Sequence, residues 1–300
     1  MKATAQSLET TRPLEKGMGA VFADLFKARL TALVLLTTLV GAYLAFRGPV
    51  DYALLFHVLF GTGMLAGGAA ALNQLLEKDD DARMRRTESR PLPSGRLTAT
   101  FVTWAGAGLS VVGVVYLALF VNGTTSLLGA LTSISYLFIY TPLKRITTLN
   151  TVIGAIPGAL PPLMGWTAVR DEITPGGWAL FGILFFWQLP HFLAIAWLYR
   201  EDYARGGFRM LAVEDTDGSR TGRQAVCHTL GLCFISLFPV ALGLSGAWYF
   251  VGAVGLGGIF LISAIRFAAG MEMKRARQLF FVSILYLPLL LGLMVFDKVK

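Results

Sequence analysis

Three oxygen-bearing side chains recur every four residues at the edge of the first dense cluster of charge in the sequence. They are Asn73, Glu77 and Asp81, and they end a segment, 52–76, without any acidic residue, lysine or arginine. Residues four apart share one face of a helix, so these side chains are predicted to form a stripe that Arg85 extends by another turn. Mg²⁺ takes oxygen ligands, commonly one or two carboxylates together with substrate phosphates. The spacing therefore predicts a magnesium site at the end of an apolar helix.

Arginines follow this stripe directly, at positions 85, 86 and 90. A guanidinium group pairs with phosphate oxygens in a bidentate way. Carboxylates that can hold a metal, next to arginines that can hold a polyanion, indicate a site for a metal-bridged diphosphate. The alternative is a solvated loop whose arginines only mark one side of a membrane.

Two later segments bring similar chemistry to the ends of apolar runs. Lys144 and Arg145 end one run, and Asp202 stands beside Arg200 at the end of another, where it is a candidate second acidic site. His191 lies about two helical turns before this second cluster. A ligand contact, a proton carrier and a purely structural hydrogen bond are three open interpretations of His191.

A segment rich in proline and glycine follows Lys144 and Arg145. Pro157, Pro161 and Pro162, together with Gly154 and Gly158, are predicted to interrupt an apolar helix there. Broken backbone at membrane depth is tolerated where it is buried in protein or lines a cavity. A proline kink without a ligand role remains an alternative, as does a close helix contact through the glycine pair.

The elements that must position these residues are nine apolar runs, each long enough to cross a membrane. The 300-residue chain is 55% hydrophobic and 15% charged, whereas about a quarter of a soluble domain is charged. Continuously apolar runs disfavour a membrane barrel, whose strands alternate in polarity. We predict an all-α polytopic membrane protein. Its spans cover about 30–46, 52–75, 98–119, 124–141, 149–168, 177–198, 224–242, 246–266 and 278–296.

The charges predict an orientation and a simple domain organisation. Residues 1–29 are predicted to be a cytoplasmic polar tail with an amphipathic lead-in, and 30–300 to be one membrane domain. Of the 26 lysines and arginines, 22 fall in the N-terminal segment and the loops on its side. Positive charge concentrates on the cytoplasmic side, so the N-terminus and these loops are placed there and the C-terminus on the opposite side. The net charge of +8 reflects this asymmetry and does not indicate nucleic-acid binding.

Four blocks of the sequence resemble the UbiA superfamily of intramembrane prenyltransferases. The block N-x-x-x-E-x-x-x-D, from Asn73, indicates the superfamily. The blocks Y-T-P-L-K-R, from Tyr140, and P-H-F…R-E-D-Y, from Pro190, are more specific and resemble the branch that modifies haem. The fourth block, I-G-A-x-P-G-A-x-P-P-x-x-G-W, contains the three prolines. The resemblance covers nearly the whole chain.

The resemblance implies nine helices around a central cavity in the bilayer, most simply the cell inner membrane. It implies transfer of a farnesyl group from farnesyl diphosphate to the 2-vinyl group of haem b, with addition of water, giving haem O and diphosphate. Mg²⁺ would be the cofactor, and a haem A synthase a possible partner. By motif position, the catalytic and metal-binding residues would be Asn73, Glu77, Asp81 and Asp202. The candidates for diphosphate binding would be Arg85, Arg86, Arg90, Lys144, Arg145 and Arg200, and those for haem contact Arg29, Tyr140 and His191.

The second acidic site departs from the superfamily pattern, which usually has two aspartates four residues apart. Leu198 occupies the position of the partner of Asp202, which puts a second metal ion in doubt. Two other functions stay open from the sequence: a prenyltransferase for a quinone or aromatic acid, and a transporter or channel gated at the charged loops. The haem-specific blocks disfavour the first. The second lacks the internal repeat that transporters often show.

Overall fold

The computed structural model describes residues 17–299, and within them nine helices are long and apolar enough to cross a membrane. This confirms the predicted all-α architecture with nine spans. The helices are α1 (Ala28–Ala45), α2 (Tyr52–Leu76), α3 (Ala99–Phe120), α4 (Gly123–Leu143), α5 (Asn150–Arg170), α6 (Pro175–Leu198), α7 (Ser219–Ala241), α8 (Ala247–Gly270) and α9 (Met273–Phe296).

Helix ends explain where the structure and the predicted spans differ. α7 and α9 begin about one turn earlier than predicted, because their first turns carry arginines and a lysine that an apolar count leaves out. Polar side chains fix other starts: Asp51, Thr98 and Asn122 each accept a hydrogen bond from a backbone N–H at the beginning of α2, α3 and α4. Such caps satisfy donors that have no partner inside the helix.

The predicted interruption of the fifth span is wrong. Pro157, Pro161 and Pro162 all lie inside the continuous helix Asn150–Arg170. Proline has a backbone φ that a helix accepts, and the missing hydrogen bonds are tolerated in a membrane helix where neighbouring helices surround it. Irregular backbone lies instead in α4, where Ser135–Tyr140 forms a π-helical segment, and in α7, where a turn at Ser236 and Leu237 separates two helical pieces.

Close approach between α1 and α5 depends on glycine. A Cβ atom at Gly165 would overlap the carbonyl oxygen of Thr38, and one at Gly41 would overlap the carbonyl oxygen of Pro162. Small residues allow helix backbones to approach in this way inside a membrane. The contact fixes α5 against the first span and thereby fixes one wall of the cavity described below.

We expect Gly165→Ala to destabilise the protein, because the added methyl group meets backbone that cannot move aside cheaply. Overpacking of this kind costs about 1–3 kcal/mol, so the melting temperature in detergent should fall. Gly108→Ala on α3 is the matched control, since its Cβ would meet nothing within 4 Å. Equal melting temperatures for the two variants would contradict the close α1–α5 contact.

The predicted amphipathic lead-in forms a short helix, Met18–Leu25, with Val21 and Leu25 buried. The side-chain amide of Gln74 donates to the carbonyl oxygens of Asp24 and Leu25, both at 2.8 Å, and so ties the end of this helix to α2. The predicted polar tail, 1–16, lies outside the described residues, and the boundary at 29 stays a prediction.

Five helices surround one cavity of about 420 Å³. Its lining comes from α1, α2, α4, α5 and α6, with Leu287 contributed by α9. The remaining helices pack around these: α3 packs on α2, while α7, α8 and α9 pack with α6 around a large core that shares Leu184, Trp187 and Leu287 with the cavity wall. The cavity therefore lies in the half of the bundle that contains the charged segments after α2 and α4.

Candidate active site

The three oxygen-bearing side chains of the stripe are buried together, although the helix that was predicted to carry them is broken. α2 ends at Leu76, Glu77 adopts a non-helical conformation, and a short helix, Lys78–Arg83, follows. Asn73, Glu77 and Asp81 are all buried despite their polarity. A buried polar group is costly unless it is paired, so the partners of these three side chains define the site.

Each side chain of the stripe accepts a hydrogen bond from a basic side chain. The pairs are Lys27 with Asn73, Lys144 with Glu77 and Arg90 with Asp81, at N–O distances of 2.6, 2.6 and 2.5 Å. All three basic side chains line the cavity. The cavity therefore has a positively charged end, called the mouth, which is formed by Lys27, Arg90 and Lys144. The oxygen atoms of Asn73, Asp81 and Glu77, which do not line the cavity, bond to these side chains.

The two carboxyl groups of the stripe differ in their pKa values. Burial raises the pKa of Glu77, but Lys144 and Lys27 outweigh it, so the net pKa lies below the usual value. At Asp81 burial dominates and Arg90 only partly offsets it, so the pKa is raised.

Lys27 belongs to the site but was not among the predicted site residues. It is the left-handed residue between the lead-in helix and α1, with φ 47°, and its Nζ also donates to the hydroxyl of Tyr136 at 3.3 Å. Burial, with a smaller effect of Arg90, lowers the pKa of Lys27 to about 7. A lysine directly before an apolar span was the available signal, but the sequence alone does not reveal that it turns inward.

Arg85 does not extend the stripe, because the short helix ends at Arg83 and the backbone of Met84 is extended. Its side chain is exposed, while its backbone N–H donates to the carboxylate of Asp202 at 3.3 Å. The backbone N–H of Arg86 donates to the same carboxylate at 3.2 Å. The oxygens of Asp202 thus clamp the loop after the short helix, and Arg205 pairs with them as well.

This clamp positions Arg86 at the mouth. The guanidinium of Arg86 lies over the rings of Tyr199 and Tyr203, with its central carbon 5.2 and 5.3 Å from the ring centroids. Its Nη2 donates to the hydroxyl of Tyr203 at 3.2 Å. Arg86 lines the cavity together with Arg90 and Lys144.

The structure brings together half of the predicted diphosphate-binding residues. Arg86, Arg90 and Lys144 line the cavity, whereas Arg85, Arg145 and Arg200 do not. Arg145 points away and pairs with Asp80, and Arg200 lies over the ring of Trp197 beside a separate small surface pocket. Neighbouring residues after a helix end point in different directions, so adjacency in sequence did not place them at one site.

The predicted haem contacts divide in the same way. Tyr140 and His191 line the cavity, whereas Arg29 is exposed and is not a lining residue. Arg29 lies on the outer side of the first turn of α1, two residues after the inward-facing Lys27. Lys27, and not Arg29, is therefore the basic side chain of this pair that faces the cavity, and haem contact by Arg29 stays a prediction.

Glycines on α5 make room for two cavity side chains. A Cβ atom at Gly154 would overlap the ring of Tyr140, and one at Gly158 would overlap the side-chain oxygen of Gln188. Lys144 Nζ lies 4.6 Å from the centroid of the Tyr140 ring. The glycine pair therefore shapes the cavity wall instead of joining two helix backbones, which was one of the open alternatives.

His191 is held rigidly at the cavity wall. Its ring stacks between Trp187 and Phe280, at centroid distances of 5.2 and 5.1 Å, and its Nδ1 lies 2.7 Å from Ser283 Oγ. The hydroxyl hydrogen of Ser283 is donated to the carbonyl oxygen of Phe280. With the Ser283 hydroxyl donating to Phe280, the neutral tautomer of His191 that fits is the one in which Nδ1 donates to Ser283 and Nε2 keeps the lone pair.

The donor set fits Mg²⁺ only together with a substrate. Between residues 17 and 299, no three His, Cys, Asp or Glu side chains form a cluster that could hold a metal ion. Mg²⁺ often uses only one or two carboxylates and takes further oxygens from phosphate and water. Glu77, Asp81 and Asn73 carry oxygens of that kind, but none of them lines the cavity. Each is bonded to a basic side chain, so a metal ion would have to displace Lys144, Arg90 or Lys27 from them. The oxygens of Asp202 are already engaged by three protein donors.

The fold and the site together define a class of protein. A cavity with cations at one end and apolar walls suits an amphiphile that has an anionic head and a long hydrocarbon tail. Enzymes that use prenyl diphosphates inside a membrane need such a cavity.

Sequence comparison identifies the family. Residues 34–285 match the UbiA prenyltransferase family, and the chain belongs to it. Proteins named protoheme IX farnesyltransferase from Solibacter usitatus and Koribacter versatilis are 46% and 42% identical. The alignments cover 92% and 99% of this chain and 98% and 99% of those proteins.

Solved structures support the same fold. A digeranylgeranylglyceryl phosphate synthase superposes with a TM-score of 0.77 at 15% identity, covering 93% of this chain and 97% of that one. A UbiA homologue from Archaeoglobus fulgidus bound to GPP and Mg²⁺ superposes with a TM-score of 0.65 at 12% identity, covering 91% and 99% of the two chains. Family membership places the chain among prenyltransferases, in agreement with the prediction, and not among transporters or channels.

Proposed function

We propose that the chain transfers a farnesyl group from farnesyl diphosphate to the 2-vinyl group of haem b. Water is added in the same reaction, and the products are haem O and diphosphate. The observation that carries the proposal is the high identity, over nearly the full length, to relatives named protoheme IX farnesyltransferase. The cation-lined mouth above an apolar cavity supplies the physical basis for it.

The mouth binds the diphosphate and the apolar walls bind the tail. Lys27, Arg86, Arg90 and Lys144 line the cavity at the charged end, and charge-assisted hydrogen bonds from such groups to phosphate oxygens are strong and short. Oxygen atoms behind these cations hold them in place before substrate arrives. Such preorganised charge stabilises the negative charge that builds up on the leaving diphosphate.

Magnesium is the proposed cofactor, held by Glu77, Asp81 and Asn73 with the diphosphate oxygens. When bound, Mg²⁺ neutralises negative charge on the leaving group. Asp202 would act by positioning the loop that carries Arg86, because its carboxylate oxygens are engaged by that loop and by Arg205.

The reaction breaks the bond between C1 of the farnesyl group and the diphosphate oxygen, and the electron pair leaves with diphosphate. The terminal carbon of the haem vinyl group supplies its π electrons to C1 and forms the new carbon–carbon bond. The positive charge that this leaves on the vinyl carbon next to the ring is captured by water, which loses a proton to give the hydroxyl group. The apolar walls of the cavity keep bulk water from the farnesyl carbon.

Haem is proposed to approach the cavity beside Tyr140 and His191. The lone pair on His191 Nε2 allows either ligation of the haem iron or acceptance of a proton. The exposed Leu30 on α1 and the half-buried Phe192 on α6, both lining residues, support an opening of the cavity between these helices. Haem, with its rigid ring, would enter there from the bilayer.

We expect His191→Ala to raise the KM for haem b about 10-fold or more while the KM for farnesyl diphosphate changes little, in line with the loss of one strong polar contact. His57→Phe is the control, since His57 bonds to Tyr116 away from the cavity. If Nε2 ligates the iron, haem added to wild type gives a shifted Soret band that the His191→Ala variant lacks. Unchanged KM values and spectra would exclude a role of His191 in haem binding.

The multi-pass chain is proposed to lie in the cell inner membrane with its charged end in the cytoplasm. This orientation follows from the distribution of lysine and arginine, and it would bring farnesyl diphosphate to the mouth from the cytosol. A haem A synthase is a possible recipient of the product. No nucleic acid is proposed as a partner.

The direct test of this function is mass spectrometry of haem extracted from a host that lacks its own haem O synthase and expresses this chain. Haem O is expected, and its absence from a host that inserts the protein would overturn the proposal. The purified protein in detergent should also form haem O from haem b and farnesyl diphosphate without any gradient. Replacement of haem b by 4-hydroxybenzoate tests the aromatic-acid alternative and should give no product.

A further inference from the structure

The cavity ends where three helices converge. Leu65 on α2, Gly129 on α4 and Met164 on α5 line its far end, with Thr62 one helical turn further along α2. A Cβ atom built at Gly129 would lie 2.6 Å from Leu65 Cδ1 and 3.1 Å from Met164 Cε. These three residues, called the floor below, leave no room for one further methyl group at that position.

A buried apolar cluster closes the space behind the floor. Leu65 and Met164 belong to this cluster, in which they pack with residues such as Val58, Leu117 and Leu163. Close-packed side chains of this kind leave few voids. The cavity is therefore blind at this end, and a substrate that enters from the charged mouth stops at the floor.

The length from mouth to floor can be estimated along two helices. Lys144 follows Gly129 by 15 residues, and Glu77 follows Thr62, the deepest lining residue of α2, by 15 residues, which corresponds to about 22 Å in each case at the helical rise of about 1.5 Å per residue. The π-helical segment in α4 shortens the first value slightly. An extended farnesyl diphosphate is about this long, whereas a geranylgeranyl chain has one isoprene unit more.

The walls below the mouth suit a prenyl tail better than haem. Within the described part of the chain, the lining residues below the mouth carry no lysine, arginine or carboxylate; the hydroxyl of Thr132 lies between the mouth and the floor, and that of Thr62 lies at the floor itself. The two propionates of haem would find no cationic partner there, and an unpaired charge in a membrane interior is strongly unfavourable. A hydrocarbon tail has no such requirement.

We propose that the floor formed by Leu65, Gly129 and Met164 measures the prenyl chain and selects the farnesyl donor. This inference rests on the proposed function, because it assumes that the diphosphate binds at the mouth. A longer chain would have to fold or to push its last isoprene unit into the packed cluster. A shorter chain would leave the floor uncovered and would lose apolar contact.

The test measures kcat/KM for geranyl, farnesyl and geranylgeranyl diphosphate with haem b as acceptor. Leu65→Ala and Met164→Ala deepen the cavity and should raise the ratio for geranylgeranyl over farnesyl diphosphate at least about 10-fold, as expected for changed methylene contacts in an apolar pocket. Gly129→Ala raises the floor and should shift the preference toward geranyl diphosphate. Leu180→Ala is the matched control, because Leu180 is equally buried but lies outside the cavity.

The outcomes separate this inference from the proposed function. If wild type forms no farnesylated haem, the proposed function fails. If wild type is active but all three floor variants keep the wild-type ratios, the floor does not set the chain length. Leu65→Val, a milder change, provides the same comparison if an alanine variant fails to fold, and it too should move the ratio toward the longer donor.

Discussion

Glu77→Gln and Asp81→Asn should each lower kcat/KM for farnesyl transfer about 10²–10³-fold, the usual effect of removing one group that stabilises developing charge. Both carboxylates are buried behind the mouth, and each holds one of its cations. The amide variants keep the shape of the side chain but lose the charge that a metal ion needs. Activity should be measured at saturating magnesium in detergent.

The same short helix provides a control for this prediction. Asp80 is also buried, but it pairs with Arg145 outside the cavity. Asp80→Asn should therefore change activity by less than about threefold, as for most groups that touch neither substrate nor metal. Near wild-type haem O formation by Glu77→Gln or Asp81→Asn would show that the acidic stripe only stabilises the fold.

Lys144→Met should raise the KM for farnesyl diphosphate about 10- to 100-fold, because one charged hydrogen bond contributes about 1.5–3 kcal/mol. The KM for haem b should change much less. Lys144 Nζ bonds to Glu77 at 2.6 Å and lies against the ring of Tyr140, so it is fixed at the cavity wall. Burial lowers the pKa of Lys144, but Tyr140 and Glu77 outweigh this effect and keep the pKa above its usual value, so the side chain stays charged.

The neighbouring residue makes this prediction specific. Arg145→Met removes an equal charge one position later from a half-exposed side chain that is not part of the cavity lining. It should leave both KM values nearly unchanged. Lys144→Met also leaves the buried carboxylate of Glu77 without this partner, which could destabilise the fold. The double variant Lys144→Met/Glu77→Gln removes that unpaired charge and shows whether the protein still folds without Lys144. Equal effects of Lys144→Met and Arg145→Met would indicate that the two cations serve only topology.

The fold could be predicted from the sequence because membrane spans depend on one strong signal, the length of an apolar run. Span ends were less certain where charged residues occupy the first turn, as in α7 and α9. Three prolines in one segment predict a break, because in water they would end a helix. Inside the bundle the neighbouring helices support α5, and the irregular backbone lies in α4 and α7, where no sequence pattern predicts it.

The burial of the acidic stripe could be predicted from the sequence, but not the direction of the basic side chains around it. A four-residue spacing placed Asn73, Glu77 and Asp81 together, and all three are buried. The direction of an arginine or lysine in a loop depends on tertiary contacts instead of spacing. For this reason Arg86 and Lys144 line the cavity while Arg85 and Arg145 do not, and Lys27 lines it while Arg29 is exposed.

The most direct test of the account is a structure of the protein with magnesium and a thiolo analogue of farnesyl diphosphate that does not react. The diphosphate is expected within hydrogen-bonding distance of Lys144 and Arg90, and the last isoprene unit is expected against Gly129. A diphosphate bound away from this mouth, or a tail that leaves sideways into the bilayer, would contradict the account.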